Sequence, residues 1–247
     1  MIRAIIFDLD GTLAQTEKLK ALSYARAAIE LSPKPLTEAQ IIEAFKEFVG
    51  LSRQEVAEGL IKRFDLEDNA QKRVAEFDVN APWQAFVQVR LQTYNVMLAD
   101  PAIVRRHRCP YNLALLRWAR RNEYRTGLAT MSYREQVSRV LEILEIKDKF
   151  DFIATRDDVE HGKPDPEIYL LESKQLDIPP AQCLVIEDSA SGIKAALAAG
   201  MWCIAVTTEY TREGVYAGKL LEPRWIVDDP AKLVEVARQM IVERKES

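Results

Sequence analysis

Cysteine is scarce in this sequence, and its spacing excludes a disulfide-rich protein. The chain has three cysteines among 247 residues. Cys109, Cys183 and Cys203 lie far apart and form no Cys-x-x-Cys pair, so free thiols are expected rather than a disulfide framework. The first ten residues, MIRAIIFDLD, also lack the long apolar stretch of a secretory signal peptide. These two absences predict a cytoplasmic protein.

Long apolar runs and a surplus of positive charge are missing as well. The longest uncharged apolar run, residues 195–206, has 12 residues and contains a glycine, whereas a membrane-spanning helix needs about 18. Lys and Arg total 34 against 38 Asp and Glu, which leaves a formal charge of −4. Binding to nucleic acid through the phosphate backbone needs a strong surplus of cations. We therefore expect no membrane partner and no nucleic-acid partner, and nothing in the sequence indicates an obligate protein partner.

Glycine is nearly absent from one long segment, whose pattern is helical. Between positions 15 and 100 only Gly50 and Gly59 occur. Runs such as KLKALSYARAAIEL and TEAQIIEAFKEFV space their apolar residues by three and four, which predicts four or five amphipathic helices. Thr37 and Ser52 are the predicted N-cap residues of two of them. Residues 15–99 are therefore expected to form a separate helical domain.

The rest of the chain alternates short apolar runs with helical stretches. The runs predicted to be strands are 2–7, 125–130, 152–154, 183–187 and 202–206. Strands separated by helices indicate βαβ units and a parallel sheet that is covered on both faces. The predicted fold class is α/β. Residues 1–14 and 100–247 would form the sheet domain, into which the helical domain is inserted.

Polar side chains stand where several of these strands end. In a parallel sheet, ligands bind beyond the carboxyl ends of the strands. Asp8 and Asp10 follow the first strand, Thr130 ends the second, and Glu187 and Asp188 come at the end of the fourth. Carboxylates at this density suit Mg²⁺, which also binds phosphate oxygen.

One lysine adds positive charge to this set. Lys163 stands in the sequence GKPDP, in a loop before a predicted helix. Its ammonium group could neutralise a phosphoryl group, and the hydroxyl of Thr130 could donate a hydrogen bond to the same group.

Four short motifs together resemble the haloacid dehalogenase-like superfamily of phosphohydrolases. They are FDLDGT at 7–12, LAT at 128–130, Lys163 within GKPDPEIY, and IEDS at 186–189. Any one motif alone is a weak signal, but four in order at plausible spacing are a strong one. The resemblance covers the whole chain and implies a Rossmann-like parallel sheet core with an inserted α-helical cap domain.

The resemblance also implies a role for each motif residue. Asp8 would be the nucleophile that forms an aspartyl-phosphate, and Asp10 the general acid and then the general base. Thr130 and Lys163 would bind the phosphoryl group. The residues implied as the Mg²⁺ site are Asp8, Asp10 through its backbone carbonyl, and Asp188, with Glu187 near it.

The helical insertion after the first motif is similar to the cap of one branch of the superfamily. That branch contains β-phosphoglucomutases, phosphoglycolate phosphatases and sugar-phosphate phosphatases. The segment 49–55 resembles the specificity loop of the mutase-like members, which makes Arg53 a candidate substrate-binding residue, together with Arg134. Both arginines fit equally well as exposed residues at helix starts.

Two departures from the mutases favour a phosphatase. After DLDGT the chain reads Ala14-Gln15-Thr16, where the family usually has Val-Asp-Ser/Thr, and Lys20 stands where the mutases have His. The expected function is Mg²⁺-dependent hydrolysis of a small phosphorylated metabolite, such as a sugar phosphate or a phosphoglycolate-like compound. A β-phosphoglucomutase-like phosphomutase is the first alternative. A catalytically inactive module that binds a phosphorylated metabolite is the second.

Overall fold

The chain divides into two compact units in the computed structural model, which describes residues 1–48 and 51–244. One unit contains Met1–Gln15 and the described residues from Pro101 onward. The other contains the described residues from Thr16 to Asp100. The first carries a β-sheet, and the second is helical.

A parallel sheet of six strands forms the centre of the first unit. The strands are β1 (Ala4–Phe7), β2 (Arg125–Ala129), β3 (Phe152–Ala154), β4 (Cys183–Glu187), β5 (Trp202–Val206) and β6 (Ile226–Val227). Their order in the sheet is β3-β2-β1-β4-β5-β6, and every neighbouring pair is parallel. The order reverses between β1 and β4, which is where ligands bind in sheets of this kind. The predicted α/β class with a Rossmann-like parallel sheet is confirmed.

Helices cover both faces of this sheet. They are numbered in chain order after the helices of the other unit: α6 (Pro101–Arg106), α7 (Pro110–Arg121), α8 (Arg134–Leu144), α9 (Glu167–Leu176), α10 (Ala190–Ala198), α11 (Arg212–Gly218) and α12 (Leu233–Glu243). Helices α9 and α10 pack on the face that carries Ala4 and Ile6. Because side chains alternate along a strand, Ile5 and Phe7 point to the opposite face. Helix α7 contacts β2 and α12.

The helical unit contains α1 (Thr16–Leu31), α2 (Glu38–Lys46), α3 (Arg53–Phe64), α4 (Glu67–Lys72) and α5 (Pro82–Ala99). Thr37 and Ser52 cap α2 and α3 as predicted. Each accepts a hydrogen bond from the third residue of its helix, whose own side chain accepts one in return. Helix α1 packs against α5, and the ring of Tyr24 lies 5.4 Å from that of Phe45 and 5.9 Å from that of Phe86.

The sequence pattern did not predict one strand, and it placed one end of each of two other strands wrongly. Strand β6 has only two residues, too few to show an alternating pattern. Strand β1 begins at Ala4 rather than at Ile2, and β2 ends at Ala129 rather than at Thr130. Within the described part of the chain, no helix is both long enough and apolar enough to cross a bilayer.

Candidate active site

The register of the sheet brings the first and fourth motifs together. Phe7 on β1 pairs with Leu128 on β2 and with Ile186 on β4. The residues after these three positions therefore reach the carboxyl edge at the same level. The amide of Asp8 continues the hydrogen bonding between the two strands by donating to the carbonyl of Ile186 at 3.0 Å. Asp8 therefore lies at the carboxyl edge of the sheet, between β1 and β4, where the strand order reverses.

Lys163 links these two strand ends through its ammonium group. Its Nζ lies 2.7 Å from Oδ1 of Asp8 and 2.6 Å from Oε1 of Glu187, and it donates to the carbonyl of Ala129 at 2.9 Å. The Lys163 side chain is 5% exposed, that of Asp8 8% and that of Glu187 1%. This is an ion triad with almost no access to water.

Burial and charge oppose each other in this triad. Burial raises the pKa of Asp8 well above its ordinary value, and Lys163 works against that shift. Burial alone would lower the pKa of Lys163, but the charges of Asp8 and Glu187 outweigh it and raise the pKa above the ordinary value. Burial works against ionisation of Glu187 too, but Lys163 and the hydrogen bonds from Ser189 lower its pKa. The lysine is therefore charged at neutral pH.

Both oxygens of Glu187 are engaged by protein donors. Oε1 accepts from Lys163 and, at 3.0 Å, from the hydroxyl of Tyr169. Oε2 accepts from the amide of Asp188 at 2.9 Å and from the amide and hydroxyl of Ser189 at 3.0 and 2.9 Å. A Cβ at Gly192 would lie 1.8 Å from Oε1, so the start of α10 must be glycine here for Glu187 to fit.

The Asp10 carboxylate has a different set of neighbours. Its Oδ2 accepts from the hydroxyl of Ser132 at 2.5 Å and from that of Thr130 at 3.2 Å. The Thr130 hydroxyl in turn accepts from the amide of Ser132 at 3.1 Å. Two hydroxyls from the loop after β2 thus orient Asp10. The sequence marked Thr130 for this site but gave Ser132 no role; its position two residues after Thr130 is the signal that was available.

The loop between the two acids depends on a glycine. Gly11 has a φ of 85°, which is the left-handed region that glycine adopts at no cost. A Cβ built on Gly11 would lie 2.1 Å from Oδ2 of Asp188. The carboxylate of Asp188 therefore rests directly against the loop that carries Asp8 and Asp10.

The donors at this edge have the chemistry that a hard cation needs. Asp8 and Asp188 offer anionic oxygen atoms on neighbouring strand ends, and Asp10 offers its backbone carbonyl. Mg²⁺ prefers oxygen ligands of these kinds. In the described part of the chain, no three His, Cys, Asp or Glu side chains already converge as a metal-binding cluster. The oxygen ligands offered here are of the type that fits Mg²⁺. The carboxylate of Glu187 differs from the others because both of its oxygens already accept hydrogen bonds from several protein groups. Metal binding by these four residues stays a prediction.

The two candidate substrate arginines are the first residues of two helices, one in each unit. Arg134 begins α8, where its guanidinium forms an ion pair with Asp158 at 2.5 Å and its amide donates to Asp157. Arg53 is the exposed first residue of α3 in the helical unit. Two residues of the predicted specificity loop, Val49 and Gly50, lie outside the described residues. Substrate binding by Arg53 and Arg134 stays a prediction.

Known proteins resemble the chain over most of its length. Its sequence matches the haloacid dehalogenase-like hydrolase family over residues 2–200. A phosphorylated carbohydrates phosphatase of Thermotoga maritima is 30% identical over 203 residues, which cover 81% of this chain and 82% of that protein. A β-phosphoglucomutase of Bacillus subtilis is 29% identical over 208 residues, or 83% of each protein.

A solved structure supports the same relationship. CbbY from Rhodobacter sphaeroides, in complex with xylulose-(1,5)bisphosphate, superposes with a TM-score of 0.69 and 25% sequence identity, over 94% of this chain and 96% of that one. Because the family match spans well over half of its length, this chain belongs to the haloacid dehalogenase-like hydrolases. The sequence-based expectations of this family and of a phosphoric monoester hydrolase are confirmed.

Proposed function

We propose that this hydrolase removes phosphate from a small phosphorylated metabolite, of the sugar phosphate or phosphoglycolate type, through an aspartyl-phosphate on Asp8. The observation that carries the proposal is the unequal surroundings of its two motif carboxylates. Asp8 is paired with an ammonium group, whereas Asp10 is held by hydroxyls. Groups in such different surroundings suit different roles, one as a nucleophile and one as a proton carrier.

In the first step, an oxygen of Asp8 attacks phosphorus, and the bond from phosphorus to the leaving oxygen breaks. Lys163 favours the ionised form of Asp8 against the effect of burial, and ionisation is what a carboxylate nucleophile requires. The same ammonium group and the hydroxyl of Thr130 would bind the oxygens of the phosphoryl group. Asp10 gives its proton to the departing alkoxide, so the alcohol leaves neutral and Asp10 becomes a carboxylate.

In the second step, Asp10 takes a proton from a water molecule that attacks the phosphorus of the aspartyl-phosphate. Inorganic phosphate leaves, and Asp8 returns as a carboxylate. Ser132, whose hydroxyl donates to Asp10, holds that carboxyl in one orientation across both steps, which leaves the single proton of the Thr130 hydroxyl for the phosphoryl group. The residues proposed to hold Mg²⁺ are Asp8, Asp10 and Asp188, with Glu187 beside them. A bound Mg²⁺ would neutralise charge on the phosphoryl oxygens.

We assign the helical insertion, residues 15–99, as the cap domain of the family. The substrate class rests on the named relatives, among them a phosphatase of phosphorylated carbohydrates. Arg53 is proposed as the residue of this domain that selects the substrate, and Arg134 as a second candidate. Replacing Arg53 by Ala is expected to impair hydrolysis of the natural metabolite and to spare p-nitrophenyl phosphate, which has no sugar hydroxyls.

The nucleophile is tested by the change Asp8→Asn. The amide keeps the shape of the side chain but cannot attack phosphorus, so turnover of p-nitrophenyl phosphate with Mg²⁺ should fall by about 10³-fold or more. Asp177→Asn is the matched control, because Asp177 is exposed at the end of α9. The control should keep full activity. Activity of freshly prepared Asp8→Asn protein near that of the wild type would contradict the covalent mechanism.

The proton carrier is tested by Asp10→Asn with two kinds of substrate. An alkyl phosphate needs a proton on its leaving oxygen, whereas nitrophenolate leaves unaided. General acid catalysis contributes about 10²–10⁴-fold, so the variant should lose far more activity on alkyl than on aryl phosphates. Equal losses of activity on the two substrates would show that Asp10 maintains the shape of the site and does not transfer a proton.

A panel of sugar phosphates and phosphoglycolate separates the three functional classes. A phosphatase releases inorganic phosphate from one of them. A phosphomutase instead converts β-glucose 1-phosphate to the 6-phosphate without net release. A binding module does neither, and it also fails to turn over p-nitrophenyl phosphate at micromolar enzyme.

A further inference from the structure

The ammonium group of Lys163 already uses all of its hydrogens within the protein. Its N–H groups donate to Oδ1 of Asp8 at 2.7 Å, to the carbonyl of Ala129 at 2.9 Å and to Oε1 of Glu187 at 2.6 Å. A lysine has three such donors. Phosphoryl binding by Lys163, as proposed for this site, therefore requires one of these three hydrogen bonds to break.

The hydrogen bond to Asp8 is the one that the proposed reaction releases. Once Asp8 is bonded to phosphorus it is no longer a carboxylate anion, and the negative charge beside Lys163 lies on the phosphoryl oxygens. The carbonyl of Ala129 and the carboxylate of Glu187 are unchanged by the reaction. The ammonium group can thus turn one N–H toward the phosphoryl group while the other two keep it in place.

Glu187 is prevented from taking more than one N–H of Lys163 by its other hydrogen bonds. Each carboxylate oxygen accepts about two hydrogen bonds. On Oε1, Lys163 occupies one position and the hydroxyl of Tyr169, at 3.0 Å, occupies the other. Oε2 accepts from Asp188 and Ser189. Because the ionised carboxylate can only accept, Tyr169 donates, and it completes the hydrogen bonding of Oε1.

Tyr169 is fixed by burial and lies against the lysine as well. It is fully buried on α9, a helix that begins four residues after Lys163. The centroid of its ring is 5.0 Å from Nζ of Lys163, within the range of a cation–π contact. Its ring therefore stabilises the cation, and its hydroxyl binds the carboxylate of Glu187. Without the hydroxyl, Lys163 is the donor that remains on Oε1 of Glu187.

From these contacts we propose that Tyr169 is a positioning residue for the phosphoryl site, an inference that rests on the proposed phosphatase function. Its hydroxyl limits Glu187 to one N–H of Lys163, so the N–H that now points at Asp8 can move to a phosphoryl oxygen. When the hydroxyl is removed, the vacant position on Oε1 competes with the phosphoryl group for the ammonium. Tyr169 acts through Lys163 and takes no part in making or breaking bonds.

Calorimetric titration with inorganic phosphate tests this role in the variant Tyr169→Phe, which keeps the ring and removes only the hydroxyl. The whole protein is titrated at a low and at a high Mg²⁺ concentration. The dissociation constant for phosphate should rise by roughly tenfold at both, the effect of one hydrogen bond to a charged group. Tyr216→Phe is the matched control, because it also removes a hydroxyl that donates to a carboxylate, Oδ2 of Asp228 at 2.9 Å. The control should bind phosphate as the wild type does.

Three results of these titrations would overturn the positioning role. An unchanged dissociation constant with fewer binding sites per protein would mean that the Tyr169 hydroxyl only supports folding. A loss of affinity that high Mg²⁺ restores would mean that the hydroxyl acts on the metal through Glu187. A wild type that binds no phosphate would contradict the phosphoryl site itself.

Hydrolysis provides a second measurement and separates this inference from the proposed function. The kcat/KM of Tyr169→Phe should fall by the same factor for alkyl and aryl phosphates, because both carry the same phosphoryl group. A loss confined to alkyl phosphates would place Tyr169 in proton transfer with Asp10, against the positioning role. Since the titrations need no turnover, failure of the covalent mechanism shows in the Asp8→Asn variant, whereas failure of this inference shows as wild-type phosphate affinity in Tyr169→Phe.

Discussion

A buried cation lies in the described part of each unit, and the two cations are held in different ways. In the α/β unit, Lys163 lies between the carboxylates of Asp8 and Glu187. In the helical unit, Arg90 lies between two aromatic rings, with its Cζ 4.9 Å from the centroid of Tyr24 and 4.4 Å from that of Tyr94. Burial lowers the pKa of Arg90, whereas the carboxylates outweigh burial and raise the pKa of Lys163.

The difference shows what each cation does for its surroundings. Lys163 balances two anions that would otherwise repel each other in a medium of low polarity. Arg90 forms no ion pair with a carboxylate in the described residues, although the charge of Glu17 acts on its pKa, and its Nε has no hydrogen-bond partner there. Removing Lys163 therefore leaves two uncompensated charges, while removing Arg90 leaves a gap between two rings. Substitutions by an apolar side chain of similar length should separate these two cases.

Lys163→Met should have the largest effect on stability. It leaves Asp8 and Glu187 buried without their shared cation, and breaking a buried ion pair from one side costs about 3–5 kcal/mol. Urea denaturation measures this loss, and phosphatase activity should disappear with it. Lys174→Met on α9 is the control, because Lys174 is exposed and an exposed substitution changes stability by about 0.5 kcal/mol or less. A Lys163→Met protein as stable as this control would mean that the triad is not the main stabilising feature of the site.

Glu172 is a third buried ionisable residue to set beside Lys163 and Arg90. It is an acid without a cation to pair with. Its side chain is fully buried on α9, its Oε1 accepts from the amide of Ala154 at 3.2 Å, and its Oε2 has no partner among the described residues. Burial raises its pKa well above the ordinary value of a glutamate. The protonated form is therefore favoured by folding, and the stability that it contributes is present at low pH and lost as the pH rises toward the folded pKa.

Glu172→Gln should remove that pH dependence while keeping the shape of the side chain. Denaturation of wild type and variant is compared between pH 5 and pH 8. The stability of the wild type should fall relative to that of the variant as pH rises, by up to about 1.4 kcal/mol for each pH unit below the folded pKa. Other titrating groups are common to both proteins and cancel in the difference. Parallel curves across the range would contradict a raised pKa for Glu172.

The sequence predicted the α/β unit better than the interior of the helical unit, for a physical reason. Strand-end acids follow short apolar runs, so Asp8 and Asp188 could be placed at one edge without knowing any contact. Tyr169 could not be found in the same way, because on a helix an aromatic residue among apolar ones is ordinarily part of the core. Its hydroxyl reaches Glu187 only through the packing of α9 on the sheet.

Arg90 was missed for a related reason. In the run FVQVRLQTY an arginine at helical spacing is expected on the exposed face, yet Arg90 is 4% exposed. Its burial depends on rings from two helices, α1 and α5. Pairing between distant segments leaves no trace in the local pattern of one helix. Ser132 differs from Arg90, because its position two residues after Thr130 was a signal in the local sequence, although its contact with Asp10 joins residues 122 positions apart.

Arg90→Met should have the smallest effect on stability and gives the sharpest contrast with Lys163→Met. The variant loses two cation–π contacts, each worth about 0.5–2 kcal/mol, but it also removes the cost of burying a charge that no carboxylate pairs with. Replacing buried charges by apolar side chains of similar volume is often neutral or stabilising, so we expect a net change within about 1 kcal/mol. Arg26→Met is the control within the helical unit, because Arg26 is exposed and loses only its surface ion pair with Glu38. The free energies of unfolding of Arg90→Met, Arg26→Met and Lys163→Met are compared by urea denaturation. A loss for Arg90→Met as large as that for Lys163→Met would show that aromatic rings hold a buried cation as strongly as carboxylates do, and the distinction between the two units would fail.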